Sequence, residues 1–345
     1  MTEVRPLYIG IEAMRTLIQR EGVDHFLDHL TRYMAEDFAR WDEFDKSPRT
    51  AAHSPLGVVE LMPAADASLF SFKYVNGHPA NALNDLQTVV AFGALSRMDT
   101  GYPVLISEMT LLTALRTAAA SALAARYLIR AGSHTMALIG NGAQSEFQAL
   151  AFKQLLGVER FRLYDVDPVA SRKCLDNLNS AGLDAVICPS PEEAIEGAQI
   201  ITTATADKRK AVIISGNMVG SGIHINAIGG DCPGKTEIAK AVLERARIFV
   251  EYEPQTRVEG EIQQLAPDHP VSELHRVIAG TEPGRRDRDE ITIFDSVGFA
   301  IEDYSALRLV NDLAVRNDIG RRLDIIPDNL DPKNLFGMLK DSKRH

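Results

Sequence analysis

The stretch from Met136 to Phe152, MALIGNGAQSEFQALAF, limits what this chain can fold into more than any other. An apolar strand expected over 136–140 runs into Gly140-Asn141-Gly142-Ala143-Gln144-Ser145, and a helical pattern over 143–156 follows at once. Gly140 permits a tight turn, Gly142 removes a Cβ where a pyrophosphate approaches the backbone, and the small Ser145 lets helix and strand pack closely. The helix N-terminus then offers unpaired N–H groups and a positive dipole end to phosphate. Alone this is a weak pattern, because glycines also punctuate ordinary turns. A second strand, Phe161 to Tyr164, closes on Asp165, about 20 residues on, where an acid binds the adenosine ribose 2′-hydroxyl. A carboxylate there repels a 2′-phosphate, so the expected cofactor is NAD rather than NADP. The alternative reading of Asp165 is a helix cap or turn residue, since Asp167-Pro168 follows it.

Beyond this turn the chain alternates strand and helix: strand 161–165, helix 168–180, strand 183–188, helix 191–197, strand 199–203. Further strands are expected at 223–228, 248–251 and 291–295. Such interleaving predicts a Rossmann-type doubly wound parallel sheet. The first 130 residues read differently. An amphipathic helix from Val23 to Phe44 precedes strand-like runs at 57–62, 71–75, 88–95 and 102–106, separated by turn signals such as Asn76-Gly77-His78-Pro79. This predicts an α+β domain with a mainly antiparallel sheet. A long helix over 108–130 leads into the dinucleotide strand, and a helix over 298–310 points back to the first domain. The chain is thus expected to divide into residues 1–130, with 311–345 returning to them, and residues 131–310. The charged tail 340–345 is expected to fray.

Three cations stand where an anion can be clamped: Arg49, Lys73 and Arg116. Lys73 and Arg116 are set among apolar neighbours, and a cation there is costly to bury unless it meets an anion. The anion is either an internal carboxylate or a ligand. A second chemical centre is Ile225-Asn226-Ala227-Ile228-Gly229-Gly230-Asp231-Cys232-Pro233-Gly234-Lys235-Thr236. Loops at strand C-termini of doubly wound folds face the ligand crevice, which places Asp231 to act as a general acid and base, with the two glycines leaving room for substrate. Its alternative is a turn-capping aspartate. Cys232 has no activating neighbour in the sequence, and His53, His78, His134 and His224 lack metal-ligand spacing, so no metal is expected.

Taken together, Arg49, Glu60-Leu61-Met62-Pro63, Phe72-Lys73-Tyr74-Val75-Asn76-Gly77-His78-Pro79, Ala114-Leu115-Arg116-Thr117-Ala118-Ala119, the 140–145 turn, Gly229 to Glu237 and Phe294-Asp295-Ser296-Val297-Gly298 resemble the ornithine cyclodeaminase/mu-crystallin family, from about Phe26 to Met338. The resemblance implies that Arg49 and Lys73 bind the carboxylate of L-ornithine and its surroundings, with Glu60 near the amino end and Val297 lining the substrate. It implies that Thr88 and Arg116 reach the cofactor side, and that Ala143, Gln144, Asp165, Thr205, Asn226, Ala227, Ile228, Lys235 and Ser296 touch NAD. Asp231 would be the proton donor and acceptor. The implied reaction takes hydride from Cα, closes the ring with loss of ammonia, and returns the hydride to give L-proline. A homodimer built through the first domain is also implied. Within the same family, a cyclic imine reductase, an amino-acid dehydrogenase, a lysine cyclodeaminase and a non-catalytic carrier stay open.

Composition narrows the partners. A net charge of −10 argues against nucleic acid, which needs a basic footprint. No run approaches about 18 apolar residues, so no membrane span is expected, and the first residues lack the form of a signal peptide. Three cysteines without pairing motifs fit a reducing cytoplasm.

Overall fold

The computed structural model describes residues 5–205, 212–327 and 331–339, so the tail 340–345 lies outside the described residues. Two eight-stranded sheets organise the chain. The first runs in the order Arg321–Arg322, Leu7–Ile9, Pro103–Glu108, Ala91–Arg97, Leu69–Gly77, Gly57–Ala65 and Asp45–Lys46, with Thr50–Ser54 also paired to Gly57–Ala65. Its pairings are antiparallel except that of Leu7–Ile9 with Pro103–Glu108. The short flanking strands Leu7–Ile9 and Arg321–Arg322 carry too few residues to show a period of two, and Thr50–Ser54 is largely exposed; the sequence expectations miss all three.

The second sheet runs Asp184–Ile187, Arg160–Tyr164, Thr135–Ile139, Ile200–Thr203, His224–Ala227, Thr292–Asp295, Arg247–Val250 and Ser272–Glu273, every pairing parallel. The chain starts at Thr135–Ile139, builds outward two strands to one side, then returns to build the other side. The strand order therefore reverses between Thr135–Ile139 and Ile200–Thr203, and a doubly wound sheet opens its ligand crevice at such a point. Both faces are covered, as an all-parallel sheet requires. Ala137 and Ile139 point into one apolar cluster with Ile201, Ile225 and Ile293. Met136 and Leu138 point into a larger one shared with the first sheet's helices, including Phe26, Leu30, Leu123 and Tyr304.

Two helices tie the sheets together. Thr110–Leu128, expected over 108–130, is buried along most of its length and packs against Ser145–Leu156, Val23–Ala39 and the strands His224–Ala227 and Thr292–Asp295. Its start is capped from outside: Glu108 Oε2 accepts the N–H groups of Thr110 and Leu111 at 2.9 and 3.2 Å. Ala300–Asn317 runs seven residues beyond the expected 310 and packs on Val23–Ala39 and on the strands Leu69–Gly77 and Gly57–Ala65. The expected helix from Val23 to Phe44 stops at Ala39, and a 3₁₀ turn, Trp41–Glu43, follows.

Candidate active site

The glycine turn forms at the reversal point. Gly140 has φ +94°, and a Cβ on it would lie 2.7 Å from the carbonyl of Ala204, just past the strand Ile200–Thr203. Two loop backbones meet there, so only glycine fits. Gly142 is exposed, and a Cβ on it would meet nothing within 4 Å, so open space lies in front of it. Ser145 starts the helix and does more than stay small: its Oγ donates to Gly140 O at 2.7 Å and stitches the turn shut. Ala143 is exposed, and Gln144 Oε1 is buried without a partner.

Asn141 and Asp165 hold this turn to its surroundings. The Asn141 side chain is fully buried, donating to Leu138 O and accepting from Ser171 Oγ at 3.0 Å. The Asn141 backbone N–H donates to Asp165 Oδ2 at 2.6 Å, while Asp165 Oδ1 accepts the N–H of Asp167 at 2.9 Å. Asp165 is therefore a turn anchor at the end of its strand. The helix cap is Asp167, whose Oδ1 accepts from Val169 N.

On the other side of the reversal point, Thr205 donates its N–H and hydroxyl to Glu237 Oε1. Lys235 Nζ donates to Thr205 O at 2.8 Å and lies 3.4 Å from Asp231 Oδ1. Asp231 keeps a half-exposed side chain (54%), while Lys235 is buried. The space beside Gly229 and Gly230 differs from the sequence expectation. A Cβ on Gly229 would strike the Glu237 carboxylate, and one on Gly230 would lie 2.5 Å from Glu261 Oε1. The two glycines make room for buried carboxylates beneath the loop rather than for substrate beside Asp231. Asn226 and Ala227 are fully buried within their strand, Asn226 Nδ2 donating to Gln148 Oε1, and Ile228 is half-buried at the strand end.

All three singled-out cations meet internal carboxylates. Lys73 Nζ lies 2.8 Å from Asp303 Oδ1, and Arg116 donates to Asp303 at 3.0 Å and to Glu302 at 2.7 Å. Arg49 donates to Glu60 at 3.0 Å, lies 3.2 Å from Glu259, and donates to the carbonyls of Val297 and Gly298. Burial, reinforced by Arg116, lowers the Lys73 pKa to about 8. Burial raises Glu259 to about 7 against the pull of Arg49, and raises Glu302 to about 8 against that of Arg116. Glu302, Asp303 and Glu259 are absent from the sequence-derived set. Glu302 and Asp303 carry the same signal as Lys73, charges set in an apolar stretch, Phe299-Ala300-Ile301.

These groups share one edge of the molecule. Val297 and Gly298 follow the strand Thr292–Asp295 at its C-terminal end, and Ser296 Oγ donates there to Glu251. Asp231 acts electrostatically on both Arg49 and Glu259. Thr88 lies in the loop before Ala91–Arg97, outside the strand expected for it, with its carbonyl accepting from His78 N at 2.9 Å. Among the described residues, no group of three or more His, Cys, Asp or Glu side chains is arranged to hold a metal ion.

Comparison with known proteins agrees with this architecture. An ornithine cyclodeaminase of Agrobacterium fabrum is 60% identical over 332 residues, covering 96% of this chain and 94% of that protein. A solved lysine cyclodeaminase, described for its recognition of L-lysine, L-ornithine and L-2,4-diaminobutyric acid, superimposes with a TM-score of 0.89 at 31% identity, covering 95% of this chain and 98% of that one. An archaeal alanine dehydrogenase dimer with bound NAD superimposes with a TM-score of 0.86 at 30% identity, covering 93% of this chain and 100% of its own. The model of one family matches residues 12–318. With both sheets and the strand-order reversal in place, this match shows that the chain belongs to the ornithine cyclodeaminase/mu-crystallin family.

Proposed function

We propose that this protein converts L-ornithine to L-proline and ammonia, using NAD as a bound catalyst. The observation that carries the reading is a convergence. The glycine turn, Asp231 and the three buried cations, which sequence places far apart, stand at the C-terminal edge of one parallel sheet. The 60% identical relative that acts on ornithine by name supports the substrate. Three observations support a place for NAD: open space in front of Gly142, a buried and unpaired Gln144 Oε1, and an acid, Asp165, at the end of the second strand and bonded to the turn, where such folds hold the ribose. In this reading Thr88, Arg116, Gly140, Asn141, Gly142, Ala143, Gln144, Ser145, Asp165, Thr205, Asn226, Ala227, Ile228, Lys235 and Ser296 form its surroundings.

Bound NAD+ supplies reversible hydride acceptance, so the substrate carbon is oxidised and reduced within one turnover with no net redox change. The chain's own residues do the rest. Arg49, Lys73 and Arg116, which Glu60, Glu259, Glu302 and Asp303 hold in place, turn their cationic side toward the substrate carboxylate, Val297 lines its stem, and Glu60 faces its amino end. Asp231 takes a proton from the α-nitrogen and returns one to the departing ammonia, so one carboxylate serves both transfers. In this reading residues 1–130, with 311–345 returning to them, form the substrate domain, and residues 131–310 the NAD domain. A homodimer through the first sheet and a cytoplasmic location complete the proposal. No helix among the described residues is long and apolar enough to cross a membrane.

Incubation with L-ornithine and NAD+ far below substrate concentration tests this. Proline and ammonia should form one to one, without NADH accumulating. Stoichiometric NADH would instead make the protein a dehydrogenase. L-Lysine belongs in the same assay, since one methylene discriminates by only about 1–3 kcal/mol.

A further inference from the structure

Glu251 follows the strand Arg247–Val250 and is fully buried. Its carboxylate gathers three donors from one turn: Ser296 Oγ and Gly298 N on Oε1, and Val297 N on Oε2. The opposite face of that turn is gripped too. The carbonyls of Val297 and Gly298 accept from Arg49 Nη2, and Gly298 O also accepts from Gln255 Nε2 at 2.9 Å. Gln255 Oε1 in turn accepts the backbone N–H of Arg49 at 3.0 Å. Gly298 has φ +75°, and a Cβ there would lie 2.7 Å from Arg116 Nη1, so its bareness lets Arg116 rest against the turn. Glu302 pulls on that same nitrogen from the helix Ala300–Asn317 at 2.7 Å.

We propose that Glu251 is a positioning residue that fixes the Ser296–Gly298 turn from behind, as the platform on which Arg49 and Arg116 are set for the substrate. The turn's N–H groups point to Glu251 and its carbonyls to Arg49, so the carboxylate and the guanidinium clamp one short piece of backbone from both sides. A carboxylate accepts at both oxygens, whereas the amide of glutamine accepts at one and presents a donor at the other. Glu251→Gln therefore sets an N–H against an N–H, and the turn must shift. A displacement of about 1 Å in a clamp of this kind costs up to about 10²-fold in kcat/KM, and because this clamp holds the bound substrate, the loss falls on KM. The inference rests on the ornithine reading, which gives the two arginines to the substrate.

A double-mutant cycle tests it. Parent, Glu251→Gln, Arg49→Lys and the double variant are assayed for ornithine turnover, alongside NAD binding and thermal unfolding. Glu251→Gln should raise the KM for ornithine about tenfold or more, with kcat within a few-fold of the parent. Because Glu251 acts through Arg49, the double variant should be no worse than Arg49→Lys alone. Two single effects that multiply in the double variant, or an unchanged KM in Glu251→Gln, would overturn the proposal. Should Glu251→Gln not fold, Ser296→Ala removes one donor without disturbing the carboxylate. It should show a smaller KM rise with the same non-additivity, and an unchanged KM there also overturns it. A parent that makes no proline from ornithine refutes the functional reading itself, and this inference with it. A parent that turns over while the variants match it refutes the Glu251 role alone.

Discussion

At the scale of single residues, Asp231 bears the most. Its half-exposed carboxylate lies 3.4 Å from Lys235 Nζ, which Thr205 O holds at 2.8 Å. Asparagine at this position still offers an oxygen to Lys235 but no titratable proton. Asp231→Asn should therefore keep its fold and NAD binding while proline formation falls roughly 10²–10⁴-fold. Measuring turnover and coenzyme binding on the same preparation separates the two. Retention of more than about a tenth of turnover, or joint loss of NAD binding and stability, would make Asp231 a turn residue. The neighbouring glycines show what a sequence can and cannot convey at this scale. Two glycines before an acid mark a crowded loop, but not which atoms crowd it. The occupants, Glu237 and Glu261, lie 8 and 31 residues further along the chain from Gly229 and Gly230 and meet them only through the fold. Lys73 and Arg116 stood out as cations in apolar settings; Glu302 and Asp303 carry the same signal, but that they are the partners of those cations follows only from the fold.

At the scale of elements, the glycine turn separates a fold requirement from a ligand requirement. Gly140 sits at positive φ with the Ala204 backbone 2.7 Å from where a Cβ would stand, and backbone cannot swing aside. Gly140→Ala should cost about 2–4 kcal/mol of stability, read as a lowered unfolding midpoint without coenzyme. Gly142 has open space in front of it. Gly142→Ala should leave the coenzyme-free midpoint within about 0.5 kcal/mol of the parent, yet weaken NAD binding at least about tenfold, because the methyl stands where phosphate approaches. Equal NAD affinity in Gly142→Ala would place the phosphates elsewhere. The sequence pattern gives the two glycines different roles, turn and phosphate approach, and their neighbours in the fold differ accordingly. Long elements were legible, such as Pro168–Ser180 after its Asp167-Pro168 start and Thr110–Leu128 in an Ala- and Leu-rich run without Gly or Pro. The extension of Ala300–Asn317 past 310 was not, because its end is set by Asp318 adopting a left-handed conformation rather than by a glycine or proline.

At the scale of the whole molecule, the first sheet has one face covered by helices and one apolar face on which no layer lies among the described residues. Ser71, Lys73 and Val75 alternate inward under the helix Ala300–Asn317, so Phe70, Phe72 and Tyr74 alternate outward. Register extends this row across the sheet, Tyr74 pairing with Leu61 on one side and with Phe92 on the other. Tyr74 and Phe92 stack with ring centroids 5.0 Å apart, and Leu61 and Phe92 remain 43% and 46% exposed. The homodimer proposed above would seat a second copy of the same sheet on this face across a two-fold axis, covering an apolar patch of the kind that interaction surfaces carry. Phe92→Arg tests the dimer without touching the site, since its side chain points away from Lys73. By two-fold symmetry the substitution places two unpaired charges in one interface, and an unpaired buried charge is strongly unfavourable. Sedimentation should show the parent as a dimer and Phe92→Arg dissociating at concentrations where the parent does not. A variant that stays dimeric would move the interface off this face, and a monomeric parent would remove the second copy as its occupant.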